Sequence, residues 1–393
     1  MLLCHTALMT FGAREGRPAA VAYVDDDATG ARCHVEVEAH LERCDAVFEA
    51  IGAAWTAQVD VWGWPAPLPD DGFGGTDGLD IYIHSEAAGG AFVNSGYVDA
   101  DPDDGRMGGS SYMVLAPSIS VSEYPGYISH EFNHVLQFAV DMSEPTLPPW
   151  EGTATLAEER TYPGEGSAPD VIDDYQDTPW AGPLQDGYWL ENLGYWSWYE
   201  YGSVLLMQWL EDEKGMSVPQ LWLDMSNPTW TNEPDFLDVL TEETWREFTV
   251  WRATQTPGVL ISGTLNEGDT VSVERVQPWG VVYVDVSEGL TIEATGRQVE
   301  VVAVHATRFA VIDWGPEGFD GDDSLTGGTV TVSAVLQPGD SGEDSGPTDT
   351  GEDTDEPTCA GCGSVPGPSP FLLLALLAVA TGRRSRDRVS EAL

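Results

Sequence analysis

The sequence His130-Glu131-Phe132-Asn133-His134 places two histidines four residues apart, in a segment whose apolar residues recur at helical spacing. Residues four apart lie one above the other on a helix, so both imidazoles can point the same way and bind one metal ion. The Glu131 side chain between them can then reach a water molecule on that ion. The pattern predicts a zinc site in which Glu131 is the general base.

Apolar side chains give this helix a separate buried face, formed by Ile128, Phe132, Val135 and Ala139. The histidines lie on the other side and are expected to face a cleft rather than to fill the core. The alternative is a surface helix that carries two unrelated histidines. A further ligand nearby favours the metal site, because catalytic zinc usually takes three protein ligands and keeps one position for water.

The candidate for the third ligand is Glu151, in the segment Trp150-Glu151-Gly152-Thr153-Ala154. Two prolines precede it and Pro163-Gly164 follow, which predicts a second short helix that Glu151 opens. Glu151 and Glu158 share one face of this helix. Because zinc-binding histidines normally donate their other N–H to an acceptor such as a carboxylate, Glu158 is a candidate for orienting one of them.

The two segments together resemble the gluzincin metallopeptidases, in which a Glu in a Glu-Gly-x-Ala setting on a following helix completes the zinc site. The resemblance implies a zincin-like fold with a sheet-containing upper lobe and a helical lower lobe. It also implies that His130, His134 and Glu151 bind one catalytic Zn²⁺, and that Glu131 takes the proton from the attacking water.

A later element, Tyr199-Glu200-Tyr201-Gly202, resembles one that supplies a phenol to the tetrahedral intermediate in the aminopeptidase branch of the gluzincins. By that resemblance Tyr199 donates a hydrogen bond to the oxyanion, and Tyr201 is the alternative. Packing of both tyrosines between helices is the other interpretation, since aromatic side chains often serve that purpose.

One feature of the aminopeptidase branch is missing. Its Gly-x-Met-Glu-Asn segment, whose Glu holds the free amino terminus of a substrate, has no equivalent in this chain. The corresponding stretch from Gly109 to Pro117 reads as an edge strand without a carboxylate. An endopeptidase is therefore expected. The chain looks similar to secreted metalloproteases of myxobacteria over roughly residues 35 to 255, and this resemblance is specific only at the motifs.

The charge of the chain excludes some partners. Sixteen Lys and Arg against 66 Asp and Glu give a net charge of -50, which argues against binding nucleic acid or an anionic membrane surface. Two acidic clusters could hold Ca²⁺, but neither fits the EF-hand spacing and solvated loops are favoured. These clusters are Asp99/Asp101/Asp103/Asp104 and Asp320/Asp322/Asp323.

The C-terminal part changes composition twice. Residues 338–358 are acidic and nearly devoid of apolar side chains, which predicts a disordered linker. Residues 359–393 contain Cys359 and Cys362, a short apolar run and a basic tail, an order that resembles the myxobacterial C-terminal sorting signal. The resemblance implies a short hydrophobic helix in the membrane, a sorting machinery as partner, and an exported protein that is anchored at the cell surface or released.

Export also requires an N-terminal signal. The N-terminal segment 1–20 is left without an assignment, because Met1 to Gly12 show none of the expected pattern. We expect a misplaced start or a missing leader. Cys33 and Cys44 either form a disulfide beside the first helix or are free core thiols.

The whole chain is expected to belong to the α+β class. A metallopeptidase domain is predicted over 21–257, with a helix from Val35 to Val59 and a loop from Tyr162 to Gly187 over the cleft. Alternating short strands over 258–337 predict a small β-sandwich. The sequence thus favours a zinc endopeptidase acting on proteins or peptides. The alternative is a surface adhesion or scaffold protein with a structural or vestigial zinc site.

Overall fold

The computed structural model of the protein describes residues 17–97, 107–185, 187–192, 197–226, 236–319, 321 and 325–337. Helices and several sheets occur along these residues, so the predicted α+β class is confirmed. The described residues belong to one compact unit, Met1–Gly339. None of the described helices is long and apolar enough to cross a membrane. The predicted linker, the sorting segment and both acidic clusters lie outside the described residues.

The first sheet is mixed, and its strands follow the order β1-β2-β3-β5-β4. The central strands β2, β3 and β5 run parallel, and the outer pairs are antiparallel. The strand predicted to lie at an edge, β5, is internal, and that expectation was wrong; among the described strands the edges are β1 and β4. The bounds are β1 Ala22–Asp25, β2 Arg32–Val35, β3 Asp80–Ile83, β4 Ala91–Tyr97 and β5 Ser110–Leu115.

Two helices pack on one face of this sheet, α1 (Cys44–Trp55) and α2 (Tyr124–Val140). A disulfide joins Cys33 of β2 to Cys44 at the start of α1, so of the two states left open by the sequence the structure has the bonded one. Residues paired across neighbouring strands share a face. Ile81 pairs with both Cys33 and Met113, and all three side chains are fully buried.

The helix predicted over Val35–Val59 is shorter than expected at its beginning. Val35 is the last residue of β2, and a 3₁₀ segment occupies Glu38–Arg43 before α1 begins. Beyond α1, Thr56–Trp62 continues the helix with π-type turns. Val35, the first residue of the predicted helix, pairs instead with Ile83 of β3.

Helices dominate the segment between the first sheet and residue 252. The segment predicted as a loop, Tyr162–Gly187, contains a helix, because Pro169 lies in a first turn and Val171 and Tyr175 bury one side of it. The helices are α3 Leu147–Thr161, α4 Ala168–Asp177, α5 Gly187–Asn192, α6 Tyr199–Gly202, α7 Val204–Asp212, α8 Val218–Met225, α9 Phe236–Val239 and α10 Glu242–Arg252.

The remaining described strands form two sheets that share a core of valine, isoleucine, leucine and alanine. One sheet has the order β10-β11-β8-β6 and the other β7-β12-β9. We call these two sheets the β-module. Its strands are β6 Ile261–Leu265, β7 Thr270–Val276, β8 Gly280–Val286, β9 Leu290–Thr295, β10 Val299–His305, β11 Arg308–Asp313 and β12 Gly328–Leu336.

The β-module is joined to the helices by a continuous core and by hydrogen bonds. The Val281 amide donates to the Pro179 carbonyl at 2.8 Å, and the Tyr283 hydroxyl donates to the Thr249 carbonyl at 2.8 Å. The indole of Trp245 donates to the carbonyl of Trp279 at 2.8 Å. Side chains of β8 and β11 belong to the same buried cluster as those of α10.

Candidate metal centre

Helix α2 carries both histidines of the motif in the interior of the protein. Pro125 lies in its first turn, where the missing N–H costs nothing. His130 is 1% exposed, Glu131 2% and His134 5%, so the histidine side of the helix is buried as well as the apolar side. The rings of His130 and His134 lie 4.8 Å apart at 81° to one another. The motif therefore faces other helices and not open solvent.

Helix α3 brings Glu151 to both imidazoles. Its Oε2 atom lies 3.1 Å from Nε2 of His130 and 3.5 Å from Nε2 of His134. The helix begins at Leu147, four residues before Glu151, because Pro148 and Pro149 are accommodated in its first turn. The three ligand atoms lie within 4.8 Å of one another, so this group could hold a metal ion.

These separations fit a tetrahedral zinc site. With bonds of about 2.0–2.2 Å from zinc to nitrogen or oxygen, two corners of a tetrahedron lie about 3.3 Å apart. The two distances from Glu151 Oε2 to the imidazoles, 3.1 and 3.5 Å, lie on either side of this value. The donor set of two imidazoles and one carboxylate is also one that catalytic zinc takes.

Glu158 contacts Nδ1 of His130, the ring nitrogen that does not face Glu151. Its Oε1 lies 2.8 Å from Nδ1 of His130, and a carboxylate oxygen there accepts the Nδ1 proton. Glu158 is itself held by Ser167, whose backbone N–H donates to Oε2 at 2.8 Å and whose hydroxyl donates to Oε1 at 3.0 Å. The ring orientation of His130 is thus set by a chain of contacts that reaches the start of α4.

Gln137 contacts Nδ1 of His134 through a side-chain amide rather than a carboxylate. Its Nε2 donates to the backbone carbonyl of Trp150 at 3.0 Å, and its Oε1 lies 2.7 Å from Nδ1 of His134. A carbonyl oxygen only accepts, so the amide must turn its NH₂ toward Trp150 and its oxygen toward the histidine. His134 then donates from Nδ1, and its Nε2 keeps a lone pair for a metal.

The electrostatics of the group also suit a cation. Burial opposes a charged His130, but the hydrogen bonds of Glu151 and Glu158 outweigh it and raise the pKa of His130 to about 10. Burial favours a neutral Glu151, but the nearby His134 and His130 hold its pKa below the ordinary value. His130 and Glu151 therefore hold a proton between the imidazole ring and the carboxylate. Metal-binding histidines are neutral, so a cation bound here would take the place of that proton.

The two tyrosines of the later element have separate environments. The Tyr199 hydroxyl donates to the carbonyls of Ala181 and Gly182, at 2.9 and 3.0 Å, and its ring packs 4.7 Å from Tyr175. The Tyr201 ring instead stacks on His130, with centroids 5.7 Å apart and an angle of 23°. The structure thus places the ring of Tyr201, the alternative, against His130, while the hydroxyl of Tyr199 is hydrogen-bonded to backbone carbonyls.

The sequence predicted the three residues that the structure brings together, His130, His134 and Glu151, but not the contact of Gln137 with His134. The residue lies three positions after His134, on the same side of α2, and this spacing was a signal that it could reach the histidine. Its full burial and its bond to Trp150 depend on α3 and could not be read from spacing.

No protein-family model matches this chain, and no curated protein matches it.

Proposed function

We propose that this protein is a zinc-dependent endopeptidase that hydrolyses peptide bonds of extracellular proteins. The observation that carries the proposal is the approach of Glu151 Oε2 to Nε2 of both His130 and His134, at 3.1 and 3.5 Å, while acceptors occupy both Nδ1 atoms. Three protein ligands and one remaining position are typical of catalytic zinc, whereas structural zinc is usually closed by four protein ligands. This favours an enzyme over the alternative, an adhesion or scaffold protein with a structural or vestigial site.

Each side chain of the group then has a chemical task. His130, His134 and Glu151 would hold the zinc ion, which would supply Lewis-acid chemistry and a coordinated water with a pKa lowered toward about 7. Glu131 accepts the proton of the attacking water and passes it to the leaving amine. Tyr201 donates a hydrogen bond to the oxyanion, the role that the family resemblance implies for Tyr199. Glu158 and Gln137 keep both histidines in the tautomer that binds the metal.

The sheet supports internal cleavage of an extended chain. Among the described strands, β4 pairs with β5 on one side only, so its other side offers backbone groups to a peptide in extended conformation. Helix α2 packs against the same sheet and places His130 and His134 on the side of the helix that faces α3. A substrate held by its backbone does not require a free terminus, in agreement with the missing Gly-x-Met-Glu-Asn segment.

The disulfide supports an extracellular protein, since disulfides persist in oxidising compartments. A zincin-like fold, and attachment through the sorting segment 359–393, belong to the same proposal.

The test measures bound zinc and the cleavage of casein and of a peptide library. Wild type is expected to bind one zinc per chain and to cleave. Glu131→Gln is expected to keep the zinc and to lose activity by about 10²–10⁴-fold, because the general base is removed. Glu267→Gln, an exposed position in the β-module, is the matched control. Zinc without cleavage in wild type would favour a structural site, and undiminished cleavage by Glu131→Gln would remove the assigned mechanism.

A further inference from the structure

Arg252, the last residue of α10, carries a charge in the interior of the protein. It is 1% exposed. Its Nε donates to Oε1 of Gln176 at 2.9 Å, its Nη2 donates to the carbonyl of Tyr175, and its guanidinium lies 4.0 Å from the centre of the Tyr175 ring. All of these partners are neutral, and Nη1 has no hydrogen-bond partner.

Other arginines near α10 and in the β-module are paired with carboxylates. Arg297 binds Asp313 at 2.9 Å and Arg308 binds Asp285 at 2.7 Å. Within the described ranges, by contrast, no Asp or Glu forms an ion pair with Arg252. A buried ion without a counter-ion costs several kcal/mol, so buried charges in proteins are normally paired.

The neighbouring phenols do not supply the missing negative charge. Tyr175, Tyr199 and Tyr283 are all fully buried. Burial raises the pKa of each of them, and this effect exceeds the opposing influence of the Arg252 charge. All three tyrosines are therefore neutral, and the positive charge remains uncompensated.

A hydroxyl group near Arg252 is also buried without a hydrogen-bond partner among the described residues. It is Oγ1 of Thr249, one turn earlier on α10. We propose that Arg252, with Thr249, binds a small monovalent anion the size of chloride or bromide. Nη1 offers two N–H donors and the hydroxyl offers one, and a water molecule would satisfy these donors without neutralising the charge.

The anion would join three parts of the structure. Tyr175 and Gln176 belong to α4, Thr249 and Arg252 to α10, and the Tyr283 hydroxyl of β8 donates to the Thr249 carbonyl. A ligand that binds the folded chain alone stabilises it by mass action. The thermal stability of this protein should therefore depend on the identity of the anion in the buffer and not on ionic strength alone.

Bromide is the probe. The full chain, prepared in sodium gluconate, is crystallised after addition of sodium bromide, and anomalous scattering at the bromine edge is recorded. The expected result is one internal peak within hydrogen-bonding distance of Arg252 Nη1. In solution, bromide or chloride should raise the Tm by about 3 °C or more over gluconate at equal ionic strength, and the rise should saturate.

Arg252→Gln should lose both the peak and the halide-dependent rise, while the matched control Arg308→Gln keeps them. If the variant does not fold, wild-type crystals alone still decide the matter. A water molecule at this place, a carboxylate side chain at it, or equal Tm values in bromide and gluconate would overturn the proposal. Since neither measurement uses peptidase activity, the outcome is independent of the proposed function.

Discussion

Gln137 accepts a hydrogen bond from His134 and donates one to the carbonyl of Trp150, so one amide ties a histidine of the candidate metal centre on α2 to the residue before Glu151 on α3. The ring of Trp150 lies 6.2 Å from that of His134. Gln137 thereby orients the ring of His134 and links the two helices that carry His134 and Glu151.

Replacement of Gln137 by Met should weaken metal binding. The side chain keeps its volume but loses both hydrogen bonds, and loss of such partners typically costs about 10–100-fold in metal affinity. Zinc affinity is measured by competition with a chelator. Gln220→Met, at an exposed position where the amide contacts only Asp224, is the control and should match wild type. Equal affinities of both variants would show that Gln137 does not position the histidine.

The two tyrosines should differ in catalysis and in stability. Tyr201→Phe keeps the ring that stacks on His130 but removes the proposed oxyanion donor, so kcat should fall by about 10²-fold or more. Tyr199→Phe loses the bonds to Ala181 and Gly182, so its free energy of unfolding should fall by about 1 kcal/mol while kcat stays near that of wild type. Kinetics on a peptide substrate and urea unfolding give the two quantities. The opposite assignment of the two losses would return the catalytic role to Tyr199.

Gly152→Ala should destabilise the protein. A Cβ atom at this position would lie 2.1 Å from Oγ of Ser203 and 3.0 Å from its carbonyl carbon, so α3 would have to move away from the start of α7. Such overpacking costs about 1–3 kcal/mol. The control is Gly52→Ala in α1, where a Cβ meets nothing within 4 Å and a small gain in stability is expected. Urea unfolding gives the free energy of unfolding of both variants. If Gly152→Ala is as stable as Gly52→Ala, the close approach of α3 to Ser203 is contradicted.

His34 should make stability fall in weak acid. Its Nε2 lies 2.8 Å from Oδ1 of Asp80 and its ring stacks on Tyr82. Burial, with the positive charges of Arg32 and Arg17, lowers the pKa of His34 from 6.5 to about 4. Between these two values the unfolded chain binds a proton that the folded chain does not. The contribution of neutral His34 to the free energy of unfolding is therefore complete above pH 6.5 and is lost as the pH falls toward 4.

The measurement is urea unfolding of wild type and His34→Gln at pH 7.5 and pH 5. Glutamine stays neutral at both values, so its free energy of unfolding should fall less between them than that of wild type. Parallel losses in the two proteins would mean that His34 is protonated equally in the folded and unfolded chains.

Local spacing was enough to predict part of the site. His130 and His134 lie one turn apart on any helix, so their common direction follows from the sequence. Tyr199 and Tyr201 show the limit of the same reasoning. Residues two apart on a helix point about 200° apart, so only one can face the metal-binding group, and the packing of α6 decides which one.

Other parts of the fold depend on contacts that local patterns do not contain. The helix α4 was predicted as a loop because its segment is rich in Pro, Gly and Asp, yet burial of Tyr175 against Tyr199 stabilises it. The position of β5 inside the sheet follows from its pairing with both β3 and β4. Tertiary pairing of this kind overrides composition and cannot be read from one segment.

The core that runs from α10 into the β-module has a practical consequence for anyone who would shorten this protein. A fragment ending after α10 would leave the indole of Trp245 without the Trp279 carbonyl and the Pro179 carbonyl without the Val281 amide, and would expose aromatic surface to water. The strands of the β-module thus complete the hydrophobic core of the helical part. A shortened version of the protein should therefore keep the helices and the β-module together.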